Sequence, residues 1–302
     1  MSKPDQLATI RLDANGSVPS ALALLKEPRL RLLDRHPMDL RGASGEVRMN
    51  IQAAVPLTRD LKADDVTIHG AGTLSKTHLT GIVSGHDLDD GSFSLDIDTN
   101  HLSLKGTGRV AGIPATIEGM LDFRTGPSSQ LTQRYALNGR ATGAALADAG
   151  LDTAGALTGD VGLNVVLNEY RSGDGELTAD ADLAQAGLSV SPLGWRKPVG
   201  GAARASLRLN LTKDKLTGID RIAIDGPGMQ VRGGATVFDG RLDTVRLDRF
   251  ALGRTDVKGT IRLARDGPIG IDVTGPALDV SAKVLEKPLK RDPAALEPAG
   301  PK

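Results

Sequence analysis

The sequence predicts an all-β chain with one or two short helices, built as a long, curved antiparallel β-meander. Three observations predict it: apolar and polar residues alternate in many short runs, tight turns separate the runs, and 37 of the 302 residues are glycine. Tight turns cannot join parallel neighbours, because a parallel crossover needs about a dozen residues or more. Roughly fifteen strands at about 4.8 Å spacing make a sheet on the order of 70 Å long, which must curl, split or twist strongly.

Three regions are expected: a leading segment over residues 1–44 with a short helix, a β-sheet domain over 45–284, and a disordered tail over 285–302. Met1 to Asn15 is polar and holds no run resembling a signal peptide, and no later stretch approaches the roughly 20 apolar residues of a spanning helix. Leu7-Ala8-Thr9-Ile10-Arg11-Leu12 starts in mid-pattern, which favours a piece of a longer chain over a cytosolic protein. Ser20 is placed to cap a helix over Ala21–Leu25, with Pro28 interrupting its continuation.

From about Gly45 the period is two. Phe93, Leu95 and Ile97 alternate with Ser94, Asp96 and Asp98, and after a Thr99-Asn100 turn Leu102 and Leu104 continue the pattern as a hairpin. Ile113, Ala115, Ile117, Gly119, Leu121 and Phe123 keep one parity, with Pro114 suited to an edge or a strand start. A Pro/Ser/Gln-rich break follows at Gly126–Gln133, and Ala144–Ala149 reads as a short helix that Gly150 ends.

Alternation then resumes in Leu163, Val165 and Leu167; in Leu177, Ala179, Ala181 and Leu183; and in Leu207, Leu209 and Leu211. It continues over Val231–Val237, in Ile261 and Leu263, and in Ile269, Ile271 and Val273. Arg171–Gly175, Lys213–Lys215, Asp225–Gly228, Asp239-Gly240 and Asp266–Pro268 supply hairpin turns between them. Val245 and Leu247 differ in parity from Phe250 and Leu252, so a bulge near Asp248 and Arg249 is needed to return all four to one face. The tail from about Leu285 is rich in Pro, Lys, Glu and Ala with little to bury.

Composition narrows the function. Lys+Arg and Asp+Glu are 37 each, for a formal charge of +0, so there is no global electrostatic case for nucleic acid. With Cys 0 there is no disulfide, thiolate site or cysteine nucleophile. Aromatic residues are 2%, which makes the core aliphatic and argues against the aromatic platforms of a polysaccharide-active enzyme.

No catalytic constellation stands out, and the chain is read as a non-enzyme that needs no cofactor or metal. His36, His69, His78, His86 and His101 are scattered without ligand spacing. The acidic run Asp87–Gly91 departs from a calcium loop in its glycine position and lacks a twelfth-position Glu, so it reads as a solvated hairpin turn. Gly106-Thr107-Gly108 and Gly226-Pro227-Gly228 precede no helix and read as turns, not phosphate loops.

What remains is the aliphatic stripe itself: Phe93, Leu95, Ile97, Ile117, Leu121, Leu163, Val165, Leu167, Leu177, Ala179, Ala181, Leu207, Leu209, Leu211, Val245, Leu247, Ile261 and Leu263. Such a stripe is either the sealed core of a structural or adhesive β-sandwich or solenoid, or the floor of an open groove; periodicity alone favours the sealed core.

Several phrases tip that balance. Val83–Leu88, Lys105–Ala115, Ala144–Leu151 running into Leu157-Thr158-Gly159, Leu188–Pro198, Val231–Ala235 and Leu252–Gly259 together resemble the AsmA-like superfamily, in particular the YhdP-type large envelope proteins of Gram-negative bacteria. The resemblance spans most of residues 40–282. It implies a curved β-sheet forming an open groove in the periplasm, whose apolar face shields phospholipid acyl chains between inner and outer membrane. It implies also an inner-membrane anchor supplied by sequence N-terminal to this segment. The expected stripe residues would then line the lipid groove.

Overall fold

The computed structural model describes residues 7–25, 42–58, 65–83, 86–151, 153, 155–190, 194–213, 215–263 and 268–279. The expected tail, Pro28 and His36 lie outside these residues. The described chain is almost entirely antiparallel β, a single open sheet of 17 strands with two short helices, and it does not close into a barrel.

The first half of the sheet contains β1 (Leu7–Ser17), β2 (Ser44–Pro56), β3 (Thr67–Val83), β4 (His86–Asp98), β5 (His101–Val110), β6 (Ile113–Asp122), β7 (Leu131–Thr142), β8 (Leu157–Tyr170) and β9 (Asp174–Asp182). A short hairpin, β10 (Ala186–Val190) and β11 (Trp195–Lys197), interrupts the run. The sheet resumes with β12 (Arg204–Thr212), β13 (Lys215–Gly226), β14 (Met229–Phe238), β15 (Arg241–Leu252), β16 (Thr255–Arg262) and β17 (Gly270–Ala277). Each strand pairs with the next in the chain, except that β9 pairs across the hairpin with β12 and β10 pairs with the first residues of β8.

The strands alternate in direction, so the connections fall on two opposite rims. One rim carries helix α1 (Val18–Leu25) after β1, helix α2 (Gly143–Asp148) after β7 and the β10–β11 hairpin after β9. Among the described residues the other carries loops and turns, including the Thr99-Asn100 and Asp239-Gly240 connections.

Local chemistry explains the elements. Thr142 caps α2 by accepting from the Ala145 amide at 3.1 Å, and Gly150 follows the helix at φ +86. The Asp239-Gly240 turn has both residues at positive φ, the left-handed pair that matches the twist of flanking strands. Register slips between β14 and β15 and between β15 and β16 leave Asp248 unpaired, so the bulge expected there exists and Val245, Leu247, Phe250 and Leu252 share one face.

Four expectations are corrected. Leu7–Ser17 is not part of a leading segment outside the sheet; it is β1, paired along its whole length with β2, so the sheet starts well before residue 45. The cap of α1 is Ser17, not Ser20: the Ser17 Oγ accepts from the Ser20 amide at 3.3 Å, and the helix starts at Val18. Gly106-Thr107-Gly108 is the middle of β5, because a Cβ at Gly106 would run into the Ser92 carbonyl and Phe93, and the glycine lets the two strands close up. Asp87–Gly91 is the start of β4, not a hairpin turn. It is bent by a bulge at Asp90-Gly91 rather than reversed, with Asp90 at φ 51.

The candidate apolar groove

Register converts separate stripes into one surface. Reading directly opposite residues from strand to strand gives an unbroken row: Val47, Leu74, Phe93, Gly106, Ile117, Leu137, Val165, Ala179, Leu207, Ile222, Gly233, Leu247, Gly259 and Val273. A second row beside it runs from Met49 through Leu95, Leu104, Leu167, Leu177, Leu209 and Val245 to Ile261 and Ile271. Opposite residues of an antiparallel ladder point to the same side, so the floor crosses fourteen strands on one face.

The opposite face is polar. Arg208, Asp180, Asn164, Lys105 and Glu118 lie on it, with Lys105 and Glu118 paired at 2.6 Å between β5 and β6. One side of the sheet meets water as a charged surface and the other as a hydrocarbon one.

The floor is not sealed along its length. Phe93, Ile117 and Leu121 are buried, where Leu74, Leu79, Leu88 and Leu104 crowd the same face. From β8 to β13, Val165, Leu167, Leu177, Ala179, Leu207, Leu209 and Leu211 are all only half-buried, as are Val245 and Leu247 in β15 and Ile261 in β16. A second sheet packed face to face would bury them fully. Leu95, Ile97, Leu163 and Ala181 are likewise half-buried on this face, while Leu263 lies one residue beyond β16.

A wall stands along the helix-bearing rim. Leu146 of α2 packs with Ala141, Val161, Leu183, Ala186 and Ala203. Beside it Trp195, the only tryptophan, packs with Met229 and Leu252 and against Val190, Val231 and Phe250. Lys197 locks this hairpin down. Only 2% exposed, its Nζ donates to the carbonyls of Leu183 at 2.9 Å, Ala186 at 2.6 Å and Pro198 at 3.1 Å. These oxygens sit where the chain leaves and re-enters the sheet, so one ammonium answers three backbone acceptors of an irregular turn.

Toward the other rim the floor carries one polar spot, on β7 and β8. The Tyr135 hydroxyl donates to Gln133 Oε1 at 2.7 Å, and Gln133 Nε2 donates to Glu169 at 2.9 Å. Burial, with the Glu169 carboxylate nearby, pushes the Tyr135 hydroxyl well above its ordinary pKa, so it stays a neutral donor. Behind it Asp122 accepts from Arg124 and Gln130, while Arg171 donates to Gln130 Oε1 and to the Arg124 carbonyl. This network ties the β6–β7 loop to the turn after β8.

Histidine chemistry is dispersed. His78 lies with Nδ1 2.6 Å from Asp89 and Nε2 3.4 Å from the Thr80 hydroxyl, while His101 sits between Asp98, 3.5 Å from Nδ1, and Asp122, 3.9 Å from Nε2. Among the described residues no group of three or more His, Cys, Asp or Glu could hold a metal ion, and no helix is long and apolar enough to cross a membrane.

Sequence reasoning missed part of the floor and the hairpin half of the wall, while the helix half, α2, is where it was expected. Leu74 was hidden because Gly70 and Gly72 occupy the apolar positions before it in β3, silencing the alternation. The β10–β11 hairpin is too short for a period to declare itself, and the buried Trp195-x-Lys197 pair was its only signal. Comparison with protein-family models, with curated proteins and with solved structures gives no match to this chain.

Proposed function

We propose that this chain is a segment of a bridge-like phospholipid carrier of the Gram-negative envelope, of the AsmA-like kind, with acyl chains lying on the apolar face of the sheet. The observation that carries the reading is a hydrocarbon floor that continues through fourteen strands and leaves its side chains from β8 onward only half-buried. Fourteen strands at about 4.8 Å span on the order of 70 Å, several times the width of one lipid. An acyl chain of about sixteen carbons costs on the order of 12 kcal/mol to bring into water at roughly 0.8 per methylene, so a path for it must be apolar without a gap.

The floor suits sliding rather than capture. It is made of Leu, Ile, Val, Ala and Gly with Met49 and Phe93, with no charged side chain in its two central rows and a single hydroxyl, that of Tyr135. The wall formed by α2 and β10–β11 shields one long side, and the charged outer face keeps the whole sheet in water. In this reading the chain performs no reaction, works in the periplasm, and is held at the inner membrane by sequence N-terminal to this segment. The competing reading, a structural β-sandwich or solenoid, requires the floor to be buried, and the half-exposure of Leu209 and its neighbours speaks against it.

Native mass spectrometry of the chain purified from a Gram-negative host tests the proposal. The expected spectrum contains adducts at phospholipid masses that persist through purification. A spectrum of the bare chain alone, unchanged after incubation with phospholipid vesicles, overturns the proposal.

A further inference from the structure

We propose that the rim end of β8 seats a zwitterionic phospholipid headgroup, with the phosphate diester on Arg171 and the ammonium on Glu169. This rests on the lipid-carrier reading and names the head of the lipid that the floor carries.

One strand runs from the wall to the open rim. On the floor face of β8, Val161 packs with Leu146 of α2 and Leu163 lies against that cluster, followed by Val165, Leu167 and Glu169, with Arg171 just past the strand end. The strands beside it keep the path apolar: Leu137 and Ala179 flank Val165, and Gly139 and Ala181 flank Leu163. From Leu163 to Arg171 is eight residues, about 26 Å at 3.3 Å per residue. One leaflet of a bilayer measures about 20–22 Å from headgroup surface to chain ends. A lipid lying along the strands with its chain ends at the wall therefore brings its head to Glu169 and Arg171.

The two charges there are placed and complementary. The Arg171 amide donates to the Gln130 carbonyl at 2.9 Å, so the ladder continues past β8 and alternation returns Arg171 to the face of Glu169. Its guanidinium is held by Gln130 Oε1, at 3.2 Å from Nε and 3.0 Å from Nη2, and by the Arg124 carbonyl. The N–H groups of Nη1 meet no acceptor among the described residues, and no carboxylate there pairs with Arg171, whereas Arg124 beside it is taken by Asp122. At Glu169 the hydrogen bonds run one way, from the Tyr135 hydroxyl to Gln133 and from Gln133 Nε2 to the carboxylate, so the chain ends on an acceptor. Both residues are half-buried, which strengthens their fields relative to open water. An uncharged lipid head leaves the Nη1 donors unmet, and a dianionic phosphate monoester is repelled by Glu169. A phosphate diester that carries an ammonium answers both groups.

The test is competition among lipids for the purified chain. Detergent micelles carry phosphatidylethanolamine, phosphatidate and diacylglycerol in equal amounts with the same acyl chains, and mass spectrometry counts what the chain keeps. The unsubstituted chain should keep phosphatidylethanolamine about tenfold over each of the others. Arg171→Gln should bring phosphatidylethanolamine and diacylglycerol to parity, while Arg171→Lys, which keeps the charge but not the planar fork, should retain most of the preference. Glu169→Gln should instead raise phosphatidate to the level of phosphatidylethanolamine. If Arg171→Lys behaves as Arg171→Gln, or if neither changes the preference, the proposal is overturned. Equal retention of phosphatidylethanolamine and diacylglycerol by the unsubstituted chain also overturns it, while leaving the apolar floor as a lipid path. Displacement of the lipid by an equal concentration of the deacylated head, glycerophosphoethanolamine, gives the seat to a soluble ester and overturns it as well. A chain that keeps none of the three lipids overturns the lipid-carrier reading itself, and the headgroup seat with it.

Discussion

Leu177 in β9 lies directly opposite Leu209 in β12, although the β10–β11 hairpin separates their strands in the chain. That pairing keeps the sheet and its apolar face continuous, because the hairpin folds up onto the rim instead of entering the ladder. The hairpin's part of the wall and the unbroken floor are thus two consequences of one insertion.

The wall depends on Lys197. Replacing it with Met keeps the apolar stem but strips a donor from the Leu183, Ala186 and Pro198 carbonyls, a loss of about 2–3 kcal/mol for buried bonds to a charged group. Lys197→Met should lower the denaturation midpoint and shift the emission of Trp195 to longer wavelength as the hairpin loosens. An unchanged spectrum and midpoint would mean that apolar packing of Trp195 against Met229 and Leu252 holds the hairpin unaided.

The turn between β5 and β6 offers a stabilising change. Ala111 sits at φ 51 and Gly112 at φ 76, a left-handed pair in which alanine is the poor choice. Ala111→Asn supplies the residue that tolerates this conformation and should stabilise the chain by about 0.5–1 kcal/mol. A thermal melt checks it, and a lower Tm would show that the Ala111 methyl contributes packing worth more than the strain.

Stability should fall in acid partly through Asp122. The Arg124 guanidinium, bonded at 3.0 and 2.7 Å, is the main cause that holds this carboxyl well below the ordinary carboxylate range, and its side chain is only 5% exposed. A depressed folded-state pKa contributes stability that is fully present above the unfolded value of about 4 and is lost as pH falls through the folded one. Asp122→Asn should therefore be less stable at pH 7 yet show a shallower decline below about pH 4. Parallel urea-midpoint profiles for the two chains would contradict this.

Much of the fold was readable because the floor is aliphatic and the outer face polar. Phe93, Leu95 and Ile97 announced β4, and the parity change at Asp248 announced a bulge that register confirms. The failures have a shared physical origin. Where glycine takes an apolar position, as at Gly72 and Gly106, alternation disappears although the strand continues. Where alternation is weak, as over Leu7–Ser17, the strand was placed in a leading segment because composition does not reveal the partner, β2, that holds it extended. Exposure of the floor was beyond periodicity altogether, since a sealed core and an open groove have the same period.

Substituting Asp for Leu209 tests the central claim most directly, with phospholipid recovered per mole of folded chain as the measurement and Val245→Asp as its companion. Both side chains are half-buried on the floor, so a carboxylate at either position keeps contact with water and should cost about 1–2 kcal/mol rather than several. The account predicts chains that melt cooperatively, a few degrees lower than the unsubstituted one, and that retain little or no phospholipid. Phospholipid retained at the unsubstituted level by the folded variants, or collapse of the fold in both, would contradict an open lipid-bearing floor.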